Sequence, residues 1–195
     1  MYGILNDGVV IAQFVAPMSL YSNRSEFISD TLSLDRKAAA LSGQRWELES
    51  RLYPLNEDAN DLFVDLVTKG HTEITTIIVP QNSGVIARRT AFVTPVGIGS
   101  KDSSTVTVSS NVGLIPKGTM IKFNGHTKVY MTTTNREGDG VMGVYPPLRA
   151  DVNTGFQHGD DVVMRVMYDT SVIAGMQYSD GILMDVGIIK LVEKP

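Results

Sequence analysis

Cysteine is absent from the 195 residues, which excludes disulfide staples, thiolate metal sites and cysteine nucleophiles together. Histidine is almost as scarce. His71, His126 and His158 each lie beside turn signals and share no ligand spacing, so they are expected to be solvent-exposed turn residues and no metal site is expected. Positive charge is not clustered. With 17 Lys and Arg against 21 Asp and Glu the net charge is -4, and the Arg88-Arg89 pair is too short to neutralise many phosphates, so specific nucleic-acid binding is not expected. No apolar run approaches the ~20 residues that cross a bilayer, so no membrane partner is expected. The opening residues lack a basic segment, and Asp7 interrupts the apolar stretch. No secretory signal is therefore expected, and the chain should stay in a cytoplasm until it assembles. Internal repeats, low-complexity tracts and a Gly-x-Ser-x-Gly elbow are also missing.

What is present is β-patterned. Ser42–Leu55 alternates with period two, sending Trp46, Leu48 and Leu52 to one face and Arg45, Glu47, Glu49 and Arg51 to the other. Burying each large apolar side chain stabilises by roughly 1.5–3 kcal/mol. A one-residue slip would bury four charges instead, so the register is strongly specified. The clearest helix follows directly, with Asn56 as its N-cap, Glu57 and Asp58 at the positive end of the dipole, and Lys69-Gly70 as the stop. Leu62, Phe63, Leu66 and Val67 form its apolar stripe.

Elsewhere the chain reads as strands. Gly8–Ala16 is a short apolar run ended by Pro17, Phe27–Leu34 is a strand, Lys37–Leu41 is Ala-rich enough for a helical turn, and Thr72–Val79 is a β-branched run stopped by Pro80. From about Val85 to Asn153 helical periodicity disappears. Thr90–Val96, Thr105–Ser109, Thr119–Phe123, Lys128–Thr134 and Val141–Tyr145 read as five short strands of a small closed barrel or sandwich, with Asn124-Gly125 as a hairpin turn and Pro146-Pro147 as the end of the module. Val162–Tyr168 and Ile182–Val192 return to longer core strands. The expected fold class is mainly β with one clear helix. Residues 1–88 and 156–195 are expected to form one discontinuous core domain, with 89–155 inserted as a second.

Patterns that could carry chemistry are incomplete. Asn135–Gly140 imitates the start of a calcium loop, but the twelfth position is Pro146, so a polar hairpin turn is expected. Gly97-Ile98-Gly99-Ser100-Lys101 lacks the spacing and following helix of a phosphate loop and reads as a flexible β-connection. Asp160 and Asp161 are adjacent, and on a strand would face opposite ways. Met164, Met167, Met176 and Met184 lie in or beside apolar strands and read as core filler. No catalytic residue, cofactor or metal ligand is assigned, and the protein is not expected to be an enzyme.

The order of these elements resembles a family. Ser42-Gly43-Gln44-Arg45-Trp46-Glu47-Leu48, Tyr53-Pro54-Leu55, an amphipathic helix ending near Lys69-Gly70 and a strand ending Ile78-Val79-Pro80 are similar to the distal tail proteins of long-tailed bacteriophages. So are Pro116-Lys117-Gly118 before Met120–Phe123, then Lys128-Val129-Tyr130, then Gly143-Val144-Tyr145-Pro146-Pro147-Leu148-Arg149, which resemble that family's inserted oligonucleotide/oligosaccharide-type (OB-like) barrel. The likeness covers most of the chain from about Ser42, and Thr119 stands where many relatives carry an acidic residue. It implies a structural virion protein, assembled in the host cytoplasm: a homohexameric ring at the end of the tail tube, with the core domain facing the channel and the barrel pointing outward. Its partners would be the tail tube protein, the tail hub or tip protein, and a tail fibre or receptor-binding protein. DNA would pass through the lumen without specific binding, which an acidic chain suits. Arg45, Glu47, Glu49 and Arg51, read as an edge strand, are the expected ring interface, and Trp46, Leu48, Leu52, Leu62, Phe63 and Leu66 the core anchors. The alternative is a carbohydrate- or fibre-binding module using the barrel's aromatics, Phe92, Phe123, Tyr130 and Tyr145, of which Phe92, Phe123 and Tyr145 fall in runs where burial is the default. A third reading, a small hydrolase on Asp160 or Asp161, lacks a supporting constellation.

Overall fold

The structure, a computed structural model, describes residues 2–30, 36–55, 58–69, 74–169, 177–179, 182–185 and 187–194. It is mainly β and contains two closed barrels of six strands each. The first joins β1 (Gly3–Asn6), β2 (Val9–Asp30), β3 (Arg36–Pro54) and β4 (Ile74–Ile78) to β13 (Val163–Tyr168) and β16 (Ile188–Glu193), in the order β1-β2-β3-β16-β13-β4. The second joins β5 (Val96–Gly99), β6 (Thr105–Ser109), β8 (Met120–Phe123), β9 (Tyr130–Thr132), β11 (Gly140–Tyr145) and β12 (Val152–His158), in the order β11-β6-β5-β12-β8-β9. Leu114–Ile115 (β7) pairs with Arg136–Glu137 (β10), and Gln177–Ser179 (β14) with Ile182–Asp185 (β15), as small separate ribbons. Every pairing within the two barrels is antiparallel.

β3 is the central staple of the first barrel. Its alternation places Trp46, Leu48, Ser50 and Leu52 inside, against Phe14, Ile77, Met164, Val166, Ile189 and Leu191. Ser50 is tolerated there because its one hydroxyl proton is shared between, or goes to either of, the carbonyls of Val15 (3.0 Å) and Arg51 (2.9 Å). The helix α1 (Asp58–Lys69) adds fully buried Ala59 and Phe63 and half-buried Leu62, and closes its last turn with an Asp65–Lys69 ion pair of 2.8 Å. Asn56, Glu57 and Gly70 lie outside the described residues, as do the side chains of Leu66 and Val67.

Several local expectations give way to tertiary pairing. Pro17 does not end its strand: β2 continues to Asp30, and the ladder shifts register between Val15 and Ser19, where a residue without an N–H does least harm. The Ala-rich Lys37–Leu41 is strand rather than helical turn, because Ala38, Ala39 and Ala40 pair with Ile28, Phe27 and Glu26 and the ladder outweighs a weak propensity. There is a second helix, α2 (Ser83–Arg88), whose start is marked by the Asn82 side chain accepting from the Gly84 N–H at 2.8 Å.

The second barrel has six strands where five were expected. Thr90–Thr94 carry no strand, whereas Gly97-Ile98-Gly99, expected as a flexible connection, lies in β5. Its glycines are demanded by close packing: a Cβ on Gly97 would meet the Phe123 ring at 2.6 Å, and one on Gly99 would meet Leu148 at 2.8 Å. Pro146-Pro147 does not end the module, since β12 follows and pairs throughout with β5 and β8. The passage back to the first barrel therefore falls after His158 rather than after Gly155. Phe123 fills the centre, edge-on to Tyr130 (5.5 Å) and Phe156 (5.4 Å). Among the described residues no helix is long and apolar enough to cross a membrane.

Candidate functional site

The polar interior of the molecule gathers where the barrels meet. Glu193, the last residue of β16, has a fully buried side chain, and Lys128, between β8 and β9, is 2% exposed; the two form an ion pair. The carboxylate also accepts from the N–H of Trp46 (3.1 Å) on Oε2 and from the N–H of Val129 (2.9 Å) on Oε1. The Trp46 indole N–H donates to the Val129 carbonyl at 2.9 Å, its ring stands edge-on to Tyr145 at 6.2 Å, and the Lys128 ammonium lies 5.9 Å from its centroid. Burial pushes the Lys128 ammonium down to about 8, although the Glu193 carboxylate beside it pulls it upward.

Further bonds cross the same seam. Arg149 Nη2 donates to the Gln44 carbonyl (2.8 Å) and Lys122 Nζ to the Val163 carbonyl (3.0 Å), while Gln81 Oε1 accepts from the Met120 N–H (3.1 Å). Met120 and Val129 belong to the first barrel's apolar cluster. Chemically this arrangement holds two barrels in one orientation. Its carboxylate is saturated by donors and shielded from solvent, which suits a clamp and not proton transfer to a substrate. The sequence carried little signal of it, since Lys128 only precedes an apolar run and Glu193 only ends one, as strand-end charges commonly do.

The expected interface residues fare differently from one another. From Glu47 to Arg51 β3 is not an edge, since β2 and β16 pair with it on both sides, whereas Arg45 lies beyond the last β16 partner. Arg45 and Arg51 are exposed and Glu49 is half-buried, but Glu47 is only 4% exposed. It accepts from Asn23 Nδ2 (2.7 Å), Arg45 Nε (2.8 Å) and Lys190 Nζ (3.0 Å). Burial by itself would raise this carboxyl, and the bonds from Lys190, Asn23 and Arg45 outweigh it and hold the group below its ordinary value of 4.5. A depressed carboxyl contributes stability that is complete above that value and lost as pH falls through the folded one. Glu47→Gln is therefore expected to flatten the acid limb of a plot of melting temperature against pH below about 4.5. An unchanged acid limb would show that Glu47 carries none of it.

The remaining candidates resolve into structural roles. His158 is buried, with Nε2 3.1 Å from the Val93 carbonyl, and is not a solvent-exposed turn residue; His126 packs edge-on to Phe123 at 5.9 Å; His71 lies outside the described residues. Asp139 of the calcium-loop imitation accepts from the Asn111 N–H at 2.9 Å, a structural bond between two loops. Asp160 accepts from the Tyr2 hydroxyl at 3.1 Å, and the side chain of Asp161 is outside the described residues. Met164 is fully buried, and Met176 and the side chain of Met184 are outside the described residues. Phe92 corrects its expectation: it is 80% exposed because its segment is not a strand, and the Arg89 guanidinium sits 5.8 Å from its centroid. Phe123 and Tyr130 are fully buried, and Tyr145 is half-buried. Among the described residues no three His, Asp or Glu side chains converge as a metal-ligand set. A scan against protein-family models matches no family, and a search of curated proteins matches none.

Proposed function

We propose that the protein is a structural subunit of a ring at the distal end of a phage tail tube, joining the tube to the tip or baseplate and carrying fibres or receptor-binding proteins. The observation that carries this reading is the far end of the β2–β3 hairpin. Residues 23–30 and 36–45 make strand pairs only with each other among the described residues, beyond the last β16 partner at Glu47. At ~3.3 Å per residue this ribbon is roughly 25 Å long. Its two edges present backbone N–H and C=O groups, a ready template for a strand of another chain. One ribbon per subunit, docked head-to-tail on the next, closes into a ring when the rotation allows. The contact is thus assigned to the ribbon, which includes Arg45, and not to edge pairing by Glu47, Glu49 and Arg51, and the order of motifs from Ser42 onward supplies the family.

The test is the native mass across a concentration series, with negative-stain images. A species six times the 21.2 kDa chain, with a central hole, is the expected result. Consecutive strand residues aim their N–H groups at opposite edges, so proline at Ala38 or at Ala39 deletes an outward donor in one of the two. One of these variants should stay monomeric while its barrels melt unchanged. A monomer at every concentration, or rings from both variants, counts against the reading.

A further inference from the structure

Between the β2–β3 ribbon and the second barrel lies a cleft of about 640 Å³, lined among others by Arg24, Gln44, Lys101, Asp102, Tyr145 and Arg149. Three cations and one acid gather there in a chain whose net charge is -4. The walls are tied together: the Asp102 N–H donates to the Leu148 carbonyl (2.7 Å), the Leu148 N–H to Ser103 (2.8 Å), the Lys101 N–H to Asp151 Oδ1 (2.7 Å), and Arg149 to Gln44 across the seam. Gln44 is 4% exposed; its Nε2 donates to Ser22 Oγ at 3.1 Å, while its Oε1 finds no hydrogen-bond partner among the described residues. Pro146, Pro147 and Tyr145 supply an apolar wall. A second cleft of about 500 Å³ shares Arg24, Tyr145 and Pro147 and continues along the hydroxyls of Ser104, Thr105, Thr133 and Thr134.

We propose that this continuous groove binds an oligosaccharide whose sugars carry carboxylate or phosphate groups. Each part of the groove answers a part of such a ligand. Arg24, Lys101 and Arg149 meet the negative charge, and the guanidinium fork suits a planar carboxylate or a phosphate edge. Tyr145 and the prolines meet the apolar face of a sugar ring. Asp102 accepts from sugar hydroxyls. The hydroxyl-lined extension has room for a second ring. A small inorganic anion would use the cations and leave the rest of the groove empty. The proposal stands whether or not the chain assembles into a ring.

Calorimetric titration of the full chain with a glucuronic-acid oligomer and with a sugar-phosphate oligomer tests it, with a neutral glucan of equal length and inorganic phosphate as controls. At least one charged oligomer is expected to bind roughly tenfold or more tightly than either control, and to weaken as salt is raised. Which one binds assigns the charged group. Lys101→Glu, on an exposed loop, and Arg24→Glu should each weaken binding by about tenfold or more, the loss expected for a charge-assisted hydrogen bond. The melting temperature of Lys101→Glu should match that of the unaltered protein, so that lost binding is not lost folding. The proposal is overturned if neither charged oligomer gives heat, if inorganic phosphate binds as well as the oligomers, or if Lys101→Glu leaves the affinity unchanged.

Discussion

Replacing Glu193 with leucine is expected to lower folding stability by about 3–5 kcal/mol, because it leaves a buried ammonium without its counter-charge. Lys128 is 2% exposed, and its ammonium lies 5.9 Å from the centroid of the Trp46 ring. The same substitution strands the N–H groups of Trp46 and Val129, which Glu193 now accepts. In a chain of 195 residues this should lower Tm by roughly 6–20 °C. Adding Lys128→Met to Glu193→Leu removes the orphaned charge and should recover part of the loss. Recovery stays incomplete because two buried N–H groups still lack an acceptor, each costing about 1–3 kcal/mol. The ion pair is thus less a source of net stability than a condition on how the barrels fit, since a buried pair roughly offsets its own desolvation whereas a broken one does not. Urea and thermal unfolding of the two single variants and the double variant measure the coupling directly. If Glu193→Leu melts with the unaltered protein, the carboxylate is not holding a buried charge.

Phe123→Ala should cost a similar ~3–5 kcal/mol, from lost transfer energy and from the cavity left among Tyr130, Phe156 and the ring-facing Gly97. Its diagnostic value lies in where the loss is felt. Trp46 belongs to the first barrel but touches Val129 and Tyr145 of the inserted segment, so its fluorescence reports on the seam. With Glu193, Arg149 and Lys122 all bonding across that seam, the whole chain should unfold in one transition, shifted as a unit by a substitution deep in the second barrel. Two separated transitions, only one of them moved, would show that the barrels are energetically independent and that the seam is weaker than its bonds suggest.

The strand at the centre of the first barrel was legible because period-two patterning over Trp46, Leu48 and Leu52 states burial directly. The partner strands were harder. Pro17 and the alanines at 38–40 argue locally against a continued strand, and only the cross-strand partners that each finds make the long hairpin favourable. Gly97 and Gly99 were opaque for the opposite reason: a glycine that clears space for Phe123 or Leu148 looks, in one dimension, like a glycine that bends a loop. Phe92 was misread because residues beside it were counted as strand, and burial follows from the element rather than from the side chain.

By itself, then, the amino-acid order determined a β-rich chain without disulfides, an amphipathic helix behind a half-buried strand, and a change of character across the inserted segment. Those features rest on periodicity and composition, which are local. Tertiary structure alone decided that Glu47 is sheltered rather than presented, that Lys128 and Glu193 meet across 64 intervening residues, and that Arg24, Lys101 and Arg149 share one cleft. Each of these depends on distances between residues far apart in the chain, and no window of sequence contains both partners.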